Sequence, residues 1–335
     1  MSLRKPLENW LTGIWYDSKR TPPLLLRLLE GLNRRRIERH GDRDKLSELA
    51  VPLIVVGNIT AGGTGKTPLV ITLARWLNDE GFRVGVISRG YGRQGRRQQR
   101  INPESNPLEA GDEALLIARQ TGLPVIVDRD RLAAAVALAP EVDLIIADDG
   151  LQNLRLPKDI SLCVVDGARG LGNGHLLPAG PLREPASRVS AYDYLIINGA
   201  GQVPGAEIFY PMRLEGDVLC GVDRPDLKQP LSSLAGQTVN AVAGIGNPGR
   251  FFDQLRDAGL QLNEYAFPDH HRYTRRDFVG LQSLPLVMTE KDAVKCRGLT
   301  PGEAWYLPVN AHLPDDLRDN LISRLESLLS ADGED

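Results

Sequence analysis

The sequence predicts an α/β protein: a doubly wound, mostly parallel sheet, joined by a second, smaller α/β domain and led by an N-terminal amphipathic helix. Three observations predict this. Apolar runs of strand length at residues 51–56, 142–147 and 160–165 alternate with helical patterns. Repeated βα units of this kind form parallel sheets whose ligands sit at the carboxyl ends of the strands. The first run ends in a glycine-rich turn, Gly57-Asn-Ile-Thr-Ala-Gly-Gly-Thr-Gly-Lys-Thr67, and Leu69, Val70, Leu73, Trp76 and Leu77 then share one helical face. Ahead of both, Leu7, Trp10, Leu11, Ile14 and Trp15 recur at the spacing of an apolar helical stripe.

Strand, glycine-rich loop, Lys-Thr and helix make the context of a phosphate-binding loop, which gives the sheet a P-loop NTPase character. Glycines let consecutive backbone N–H groups turn toward an anion, and the helix N-terminus adds unpaired donors and a dipole. Thr60, Ala61, Gly62, Gly63, Thr64, Gly65, Lys66 and Thr67 are therefore the expected nucleotide cradle. Lys66 is expected at the β- and γ-phosphates of ATP and the Thr67 hydroxyl on Mg²⁺. Pro68 suits the first helical turn, where its missing N–H costs nothing. The general pattern G-x-x-x-x-G-K-[ST] asks for glycine at position 60, where this chain has Thr60. The loop specifies a nucleoside triphosphate without choosing among kinase, GTPase and motor.

At 335 residues the chain has room for two domains, each with its own core. With 42% hydrophobic and 25% charged residues it reads as an ordinary soluble globular protein. A net charge of −3 gives no global reason to expect nucleic acid. Cys163, Cys220 and Cys296 are far apart, which disfavours zinc and disulfide frameworks and points to a reducing compartment. No apolar run approaches the ~18 residues of a spanning helix, and the N-terminus lacks a signal-peptide core, so a cytoplasmic-side protein is expected.

In chain order, residues 1–45 are expected to form amphipathic helices at a membrane interface. The tryptophan-bearing stripe is followed by Thr21-Pro-Pro23, the leucine-rich stretch Leu24–Leu32 and the basic cluster Arg34, Arg35, Arg36 and Arg39. Tryptophan sits at headgroup depth and arginine meets anionic lipid; a helix pair capping the nucleotide domain is the alternative. Residues 46–210 read as the nucleotide-binding core. Strand 51–56 and helix 67–79 end at Gly81, placed as a C-terminal cap. Strand 83–88 precedes the basic loop with Arg96, Arg97 and Arg100, a helix from about Gly111, strand 124–127 and an alanine-rich helix 130–139. Strands 142–147, 160–165 and 194–197 complete this part. The last two enclose a long Gly/Pro-rich loop, 166–184, and such a loop is usually functional or disordered. Residues 211–236 read as a linker, and 237–335 as the smaller α/β domain, ending in an amphipathic helix at 317–329.

Asp148-Asp149 at the end of an apolar strand reads as the second half of a nucleotide site, where an acidic residue holds Mg²⁺ directly or through water. Asp112 and Glu113 open a helix, which is equally the chemistry of plain capping; the functional reading makes one a base or a metal ligand. Asp269-His270-His271 supplies a His–Asp neighbour pair suited to proton transfer near neutrality, although adjacent loop histidines are more often merely exposed. Lys291, after an apolar strand, either meets phosphate or is solvated.

Taken together, these segments resemble one family, the tetraacyldisaccharide 4′-kinases, the lipid A kinases of Gram-negative bacteria. The resemblance rests on Val56–Pro68, Ser88-Arg-Gly-Tyr-Gly92, Gly111-Asp-Glu113, Asp148-Asp-Gly-Leu-Gln152 and Asp166-Gly…Arg169-Gly-Leu-Gly-Asn-Gly174. It continues in Leu177-Pro-Ala-Gly-Pro-Leu-Arg-Glu184, Phe267-Pro-Asp-His270 and Thr289-Glu-Lys-Asp-Ala-Val294. The family carries Ser or Thr where the general loop has its first glycine, which accounts for Thr60. It commonly ends the aspartate motif in His, where this chain has Asn153.

The resemblance implies transfer of the ATP γ-phosphate to the 4′-hydroxyl of a tetraacylated glucosamine disaccharide 1-phosphate, giving lipid IVA. It implies Asp112 as the base near that hydroxyl, supported by His270 and by Lys66 at the phosphates. Thr67, Glu113, Asp148 and Asp149 would arrange Mg²⁺, and Arg89, Tyr91, Arg169, Asn173 and Arg183 would face the lipid headgroup. The implied setting is the cytoplasmic face of the inner membrane, peripherally, with an acylated disaccharide lipid as substrate and neither nucleic acid nor an obligate protein partner. A guanine-reading motif is missing at Thr289-Glu-Lys-Asp292, where Lys lies next to Asp. Ala61 stands where partitioning ATPases have lysine. A P-loop kinase of another small sugar or metabolite, or a membrane-associated switching ATPase, are the competing readings.

Overall fold

Two helices, α1 (Arg4–Trp15) and α2 (Leu24–His40), precede the first strand in a computed structural model that describes residues 4–17, 20–40 and 48–331. The side chains of Leu7 and Arg39, and the expected domain boundary at 45, lie outside the described residues. β1 (Leu53–Gly57) is buried at every position and passes through the glycine-rich turn into α3 (Lys66–Asp79). There follow β2 (Val84–Ser88), β3 (Gln99–Ile101), a single turn α4 (Pro107–Ala110), α5 (Asp112–Thr121), β4 (Val125–Val127) and α6 (Arg131–Leu138). Next come β5 (Leu144–Asp148), β6 (Ile160–Asp166), β7 (Tyr194–Asn198), β8 (Tyr210–Glu215), β9 (Val218–Gly221) and β10 (Lys228–Pro230). The remainder comprises β11 (Thr238–Ala243), α7 (Pro248–Asp257), β12 (Gln261–Ala266), β13 (Leu286–Thr289), α8 (Glu290–Cys296), β14 (Ala304–Leu307), β15 (Asn310–His312) and α9 (Asp315–Ala331).

These strands form a nine-stranded sheet in the order β15-β8-β7-β6-β1-β5-β2-β4-β3 and a six-stranded sheet in the order β10-β9-β14-β13-β11-β12. In the larger one, the strands from β8 to β4 run parallel and only the edges β15 and β3 are antiparallel. The α/β, mostly parallel architecture expected from the alternating apolar runs is thus observed. Because successive strand residues face opposite sides, β1 feeds two cores. Ile54 and Val56 pack with Leu69, Leu73, Leu115 and Ile117, while Leu53 and Val55 pack with Leu138, Leu151, Leu156 and Leu176. The register sets Val56 beside Asp148, which brings the aspartate pair to the mouth of the phosphate loop.

Two boundaries differ from the sequence reading. The stretch 211–236, expected as a linker, holds β8, β9 and β10. Met212 is fully buried in the core of the larger sheet, while β9 and β10 already belong to the smaller one. Residues 310–331, expected with the smaller domain, return to the larger sheet, where Leu317, Leu321 and Leu325 are buried in the same core as Ile54 and Leu69. An apolar helical stripe specifies that a helix must be covered, not by what.

The N-terminal stripe also differs from expectation. Ile14 is buried and the Trp15 indole N–H donates to the Pro178 carbonyl at 3.0 Å, so this face of α1 packs on the protein, leaving Trp10 half exposed. The continuous exposed apolar face is on α2, where Leu24, Leu25, Leu28 and Leu32 are each at least 63% exposed. Their spacing puts them on one side of the helix, opposite Glu30, Asn33 and Ile37, which face the protein.

Leu321→Ala should cost about 2–5 kcal/mol of stability, as for other buried leucines. Urea denaturation measures it; an unchanged midpoint would place α9 outside the shared core.

Candidate active site

The phosphate loop gets its shape from two glycines that no other residue could replace cheaply. Gly62 and Gly65 lie at φ 113° and 92°, and a Cβ on Gly65 would collide with the Asn198 amide. Gly65 caps α3 from this left-handed conformation, so the first donors of the helix open toward the cavity. Across the loop, Gly63 lies against the backbone of Gly246, in the turn between β11 and α7. The Lys66 ammonium donates to Asn58 Oδ1 at 3.1 Å and sits 3.5 Å from Asp149. Thr60 and Ala61 stand behind this cradle and do not line the cavity. Thr60 is buried in a bridge to Leu182, and the Ala61 N–H donates to the Pro181 carbonyl.

Between the loop and the smaller sheet is a cavity of about 520 Å³, lined by Gly62–Pro68, Arg89, Tyr91, Glu113, Asp148, Asp149, Arg183, His270 and Lys291, with apolar walls that include Ile71, Phe251 and Leu307. Two polar atoms at this end are buried without a partner: Thr64 Oγ1 and Asp148 Oδ1. Burial, and then the neighbouring charges of Glu113 and Asp149, push the Asp148 carboxyl up to about 7. The charges of Lys66 and Lys291 only partly offset this, Oδ1 keeps no hydrogen-bond partner, and a hard cation with oxygen ligands would fit it. Asp149 stands differently: burial opposes its ionisation, but Lys66, Arg183 and Arg131 hold it below the usual range. Arg183 donates to it at 3.0 Å, and Arg131 donates to its backbone carbonyl. Glu113 is engaged by Lys291 at 2.8 Å. Among the described residues no group of three or more His, Cys, Asp or Glu encloses a metal site. The residues fit Mg²⁺, an ion that keeps several waters and is held through one or two carboxylates and substrate phosphates. Asp148 is the carboxylate with an oxygen to give.

At the other wall, Gly111 at φ 83° lets the chain pass under the Tyr91 carbonyl into α5. Asp112 opens that helix with its carboxylate turned to the smaller sheet: Oδ2 accepts from His270 Nδ1 at 3.3 Å and lies 3.2 Å from Lys295 Nζ. Burial opposes its ionisation, and the His270 hydrogen bond with the Lys295 and Lys291 charges prevails, holding Asp112 below the usual carboxylate range. Its partners are thus side chains from across the junction between the two sheets. Asp112 does not line the cavity; it lies behind His270, which does. The His270 ring rests against Tyr91, centroids 4.6 Å apart, with Nε2 3.5 Å from Lys291. Lys291 lines the cavity and, rather than being solvated, is engaged by carboxylates. It donates to Glu113 and to Asp269 at 3.1 Å, and though burial opposes its charge, these carboxylates raise its pKa.

Of the expected headgroup residues, Arg89, Tyr91 and Arg183 reach the cavity, whereas Arg169 and Asn173 do not. Arg169 donates to the Gly246 carbonyl at 3.0 Å and lies over the Tyr16 ring. Asn173 donates to the Ile14 and Ala179 carbonyls, so its amide secures the end of α1 and its own loop. Asn153 turns the chain locally, accepting from the Arg155 N–H at 3.1 Å. The sequence reading missed Asn58, Arg131 and Lys295. Asn58 lies inside the motif and Lys295 one helical turn beyond Lys291, but only packing assigns their partners.

Glu290, also on the cavity wall, gives a pH-dependent prediction. Burial raises its carboxyl to about 7 against the opposing influences of Gln120, Arg75 and Arg119. An unfolded glutamate titrates near ~4.3, so between that value and about 7 the folded chain binds more protons, and stability falls as pH rises through this window. Glu290→Gln should therefore unfold at a higher temperature than the parent at pH 8 and show no such gain at pH 4.5. Melting curves of both proteins across this range check it.

Known proteins resemble this chain over most of its length. The model of the tetraacyldisaccharide-1-P 4′-kinase family matches residues 24–326. A tetraacyldisaccharide 4′-kinase of Dechloromonas aromatica is 44% identical over 334 residues, 95% of this chain and 98% of that protein. One of Xanthomonas euvesicatoria is 47% identical over 339 residues, 96% and 97% of the two chains. The solved "apo" form of LpxK from Aquifex aeolicus, in complex with ATP, superposes with a TM-score of 0.73 at 29% identity, covering 89% of this chain and 97% of that one. The chain belongs to the tetraacyldisaccharide 4′-kinase family.

Proposed function

We propose that this protein transfers the γ-phosphate of ATP to the 4′-hydroxyl of a tetraacylated glucosamine disaccharide 1-phosphate, giving lipid IVA. The observation that carries the reading is a cavity with a phosphate loop on one wall and His270, backed by Asp112, on the other. That arrangement holds a nucleotide phosphate and a hydroxyl acceptor in one enclosed space, where positioning and charge neutralisation supply most of the rate. A switching ATPase would have no use for a proton-accepting pair across from its phosphates.

In this reading Lys66 leaves Asn58 and Asp149 to meet the phosphates, with the backbone of Gly62–Thr67 around them. Thr67 and Asp148 would hold Mg²⁺, with Asp149 and Glu113 behind it; the ion supplies neutralisation of phosphate charge. The hydroxyl proton passes to the Asp112–His270 pair as the oxygen attacks phosphorus. The His270 ring faces the cavity and the Asp112 carboxylate supplies the negative charge that fixes it. Arg89, Tyr91 and Arg183 line the cavity and, in this reading, face the sugar headgroup.

The acyl chains set this substrate apart from soluble sugars, and α2 suits them. Its leucine face stands open while Glu30 and Asn33 tie the opposite face to residues 175–177. No helix among the described residues is long and apolar enough to cross a membrane. We place the protein peripherally on the cytoplasmic face of the inner membrane, with α2 in the interface and Arg34–Arg36 near anionic headgroups.

Two experiments test this. With the acylated disaccharide and ATP, Asp112→Asn should lower kcat by ~10²–10⁴-fold. His270→Ala should act in the same direction, and the double variant should be scarcely worse than Asp112→Asn alone, as for groups that act as a unit. A folded Asp112→Asn enzyme at parental rate would remove the pair from the chemistry. In the second, Leu25→Ser, Leu28→Ser and Leu32→Ser combined should abolish co-sedimentation with anionic liposomes, while Trp10→Ser weakens it modestly. Undiminished binding of the triple variant would assign the leucine face to something other than lipid.

A further inference from the structure

The acid–base pair is carried by two different sheets: Asp112 starts α5 beside the larger, and His270 follows β12 of the smaller. Something must hold the Asp112 carboxylate in place across that junction. The contacts of α8 identify it. Lys291 and Lys295, one turn apart on α8, meet the two acids that open α5: Lys291 pairs with Glu113 at 2.8 Å and Lys295 with Asp112 at 3.2 Å. Lys295 is only 9% exposed, and its ammonium also donates to Asp292 at 3.0 Å and lies 5.2 Å from the Tyr273 ring centroid. Asp292 is fully buried. Its Oδ2 accepts from the Gly244 N–H at 2.7 Å and the Thr289 hydroxyl at 2.6 Å, and so is fixed to the end of β11 and the start of α8.

A chain of hydrogen-bonded charges thus runs from the backbone of the smaller sheet through Asp292 and Lys295 to Asp112. We infer that Lys295 is a positioning residue for phosphoryl transfer, clamping the Asp112 carboxylate against His270 from its anchor on Asp292. This rests on the proposed role of the Asp112–His270 pair. The arrangement is a poor way to gain stability, because desolvating one ammonium and two carboxylates opposes their attraction, and apolar side chains fill such a space as well. It is a good way to aim an oxygen. Lys295 and His270 Nδ1 share the same oxygen of Asp112, so losing the lysine frees the carboxylate to rotate away from the ring. A displacement of about 1 Å in a reacting group can cost on the order of 10² in rate.

The test is steady-state kinetics with ATP and the acylated disaccharide. Lys295→Met should lower kcat by about 10–100-fold while both KM values change by less than about 3-fold, since the lysine does not line the cavity. Lys295→Arg, which keeps the charge, should recover part of the loss. In an Asp112→Asn background Lys295→Met should cost nothing further, because the residue acts through that carboxylate. If Lys295→Met does not fold, Asp292→Asn/Lys295→Met, which removes the Asp292 charge together with its partner and leaves Asp112 hydrogen-bonded to His270, is measured instead, with the same loss expected. Parental kcat in a folded variant, or losses at 112 and 295 that multiply, would overturn the inference. A fully active Asp112→Asn enzyme would instead overturn the reading of the pair.

Discussion

The ion pairs between α5 and α8 are the interaction on which the rest of the site depends. Asp112, Glu113, Asp148 and Asp149 crowd the carboxyl ends of the larger sheet, a concentration of negative charge that Lys66 and the arginines of that sheet only partly balance. The remaining cations, Lys291 and Lys295, come from the smaller sheet. The contact between α5 and the elements of the smaller sheet therefore does three things at once: it offsets the acid cluster, walls the cavity, and sets His270 against Asp112. Asp148, whose Oδ1 has no hydrogen-bond partner, marks where a further positive charge fits.

The second element of this architecture is the loop between β6 and β7. Its middle section is bonded on one side to the N-terminal helices, through Glu30 with His175 and the Leu176 N–H, Asn33 with Leu177, and Trp15 with Pro178. Its far end is bonded to the phosphate loop, through Pro181 with Ala61 and Arg183 with Ile59, and the Arg183 side chain reaches Asp149. The length that made this loop conspicuous in the sequence is the length needed to span from α2 to the phosphate loop. Glu30 is only 7% exposed, and its backbone and histidine partners hold it ionised against burial.

Two residues of the site hold a backbone conformation that costs a non-glycine residue of order 1–3 kcal/mol. Asp149 lies at φ 56° and His270 at φ 59°. Each is over-determined by its neighbours: Asp149 by Arg183, Arg131 and Lys66, His270 by the Tyr91 ring and Asp112. Strain of this kind persists where side-chain direction matters more than local ease.

What could be read without coordinates was what local chemistry determines. The strand–glycine loop–helix of residues 53–79, the buried strands around it and the acidic end of β5 all follow from apolar periodicity and from the few residue types that turn backbone N–H groups toward an anion. Asp112 and His270 could be nominated because their residue types and neighbours limit what they can do. The partners of those residues could not be read. Arg169 and Asn173 stand in motifs as conspicuous as that of Arg183, yet they brace loops while Arg183 meets the site, since a glycine-rich segment reveals its turns and not its direction. Helix α9 and strand β8 were amphipathic or short in sequence, and only the competition between two cores decided which one each joined. The apolar stripe of α1 turned inward and the leucines of α2 outward for the same reason: hydrophobicity specifies that a face be covered, while long-range packing decides by what. Lys295 was one lysine among many in sequence, and its role arises from a fold that sets it between Asp292 and Asp112, residues 3 and 183 positions away, where an unpaired charge could not be buried.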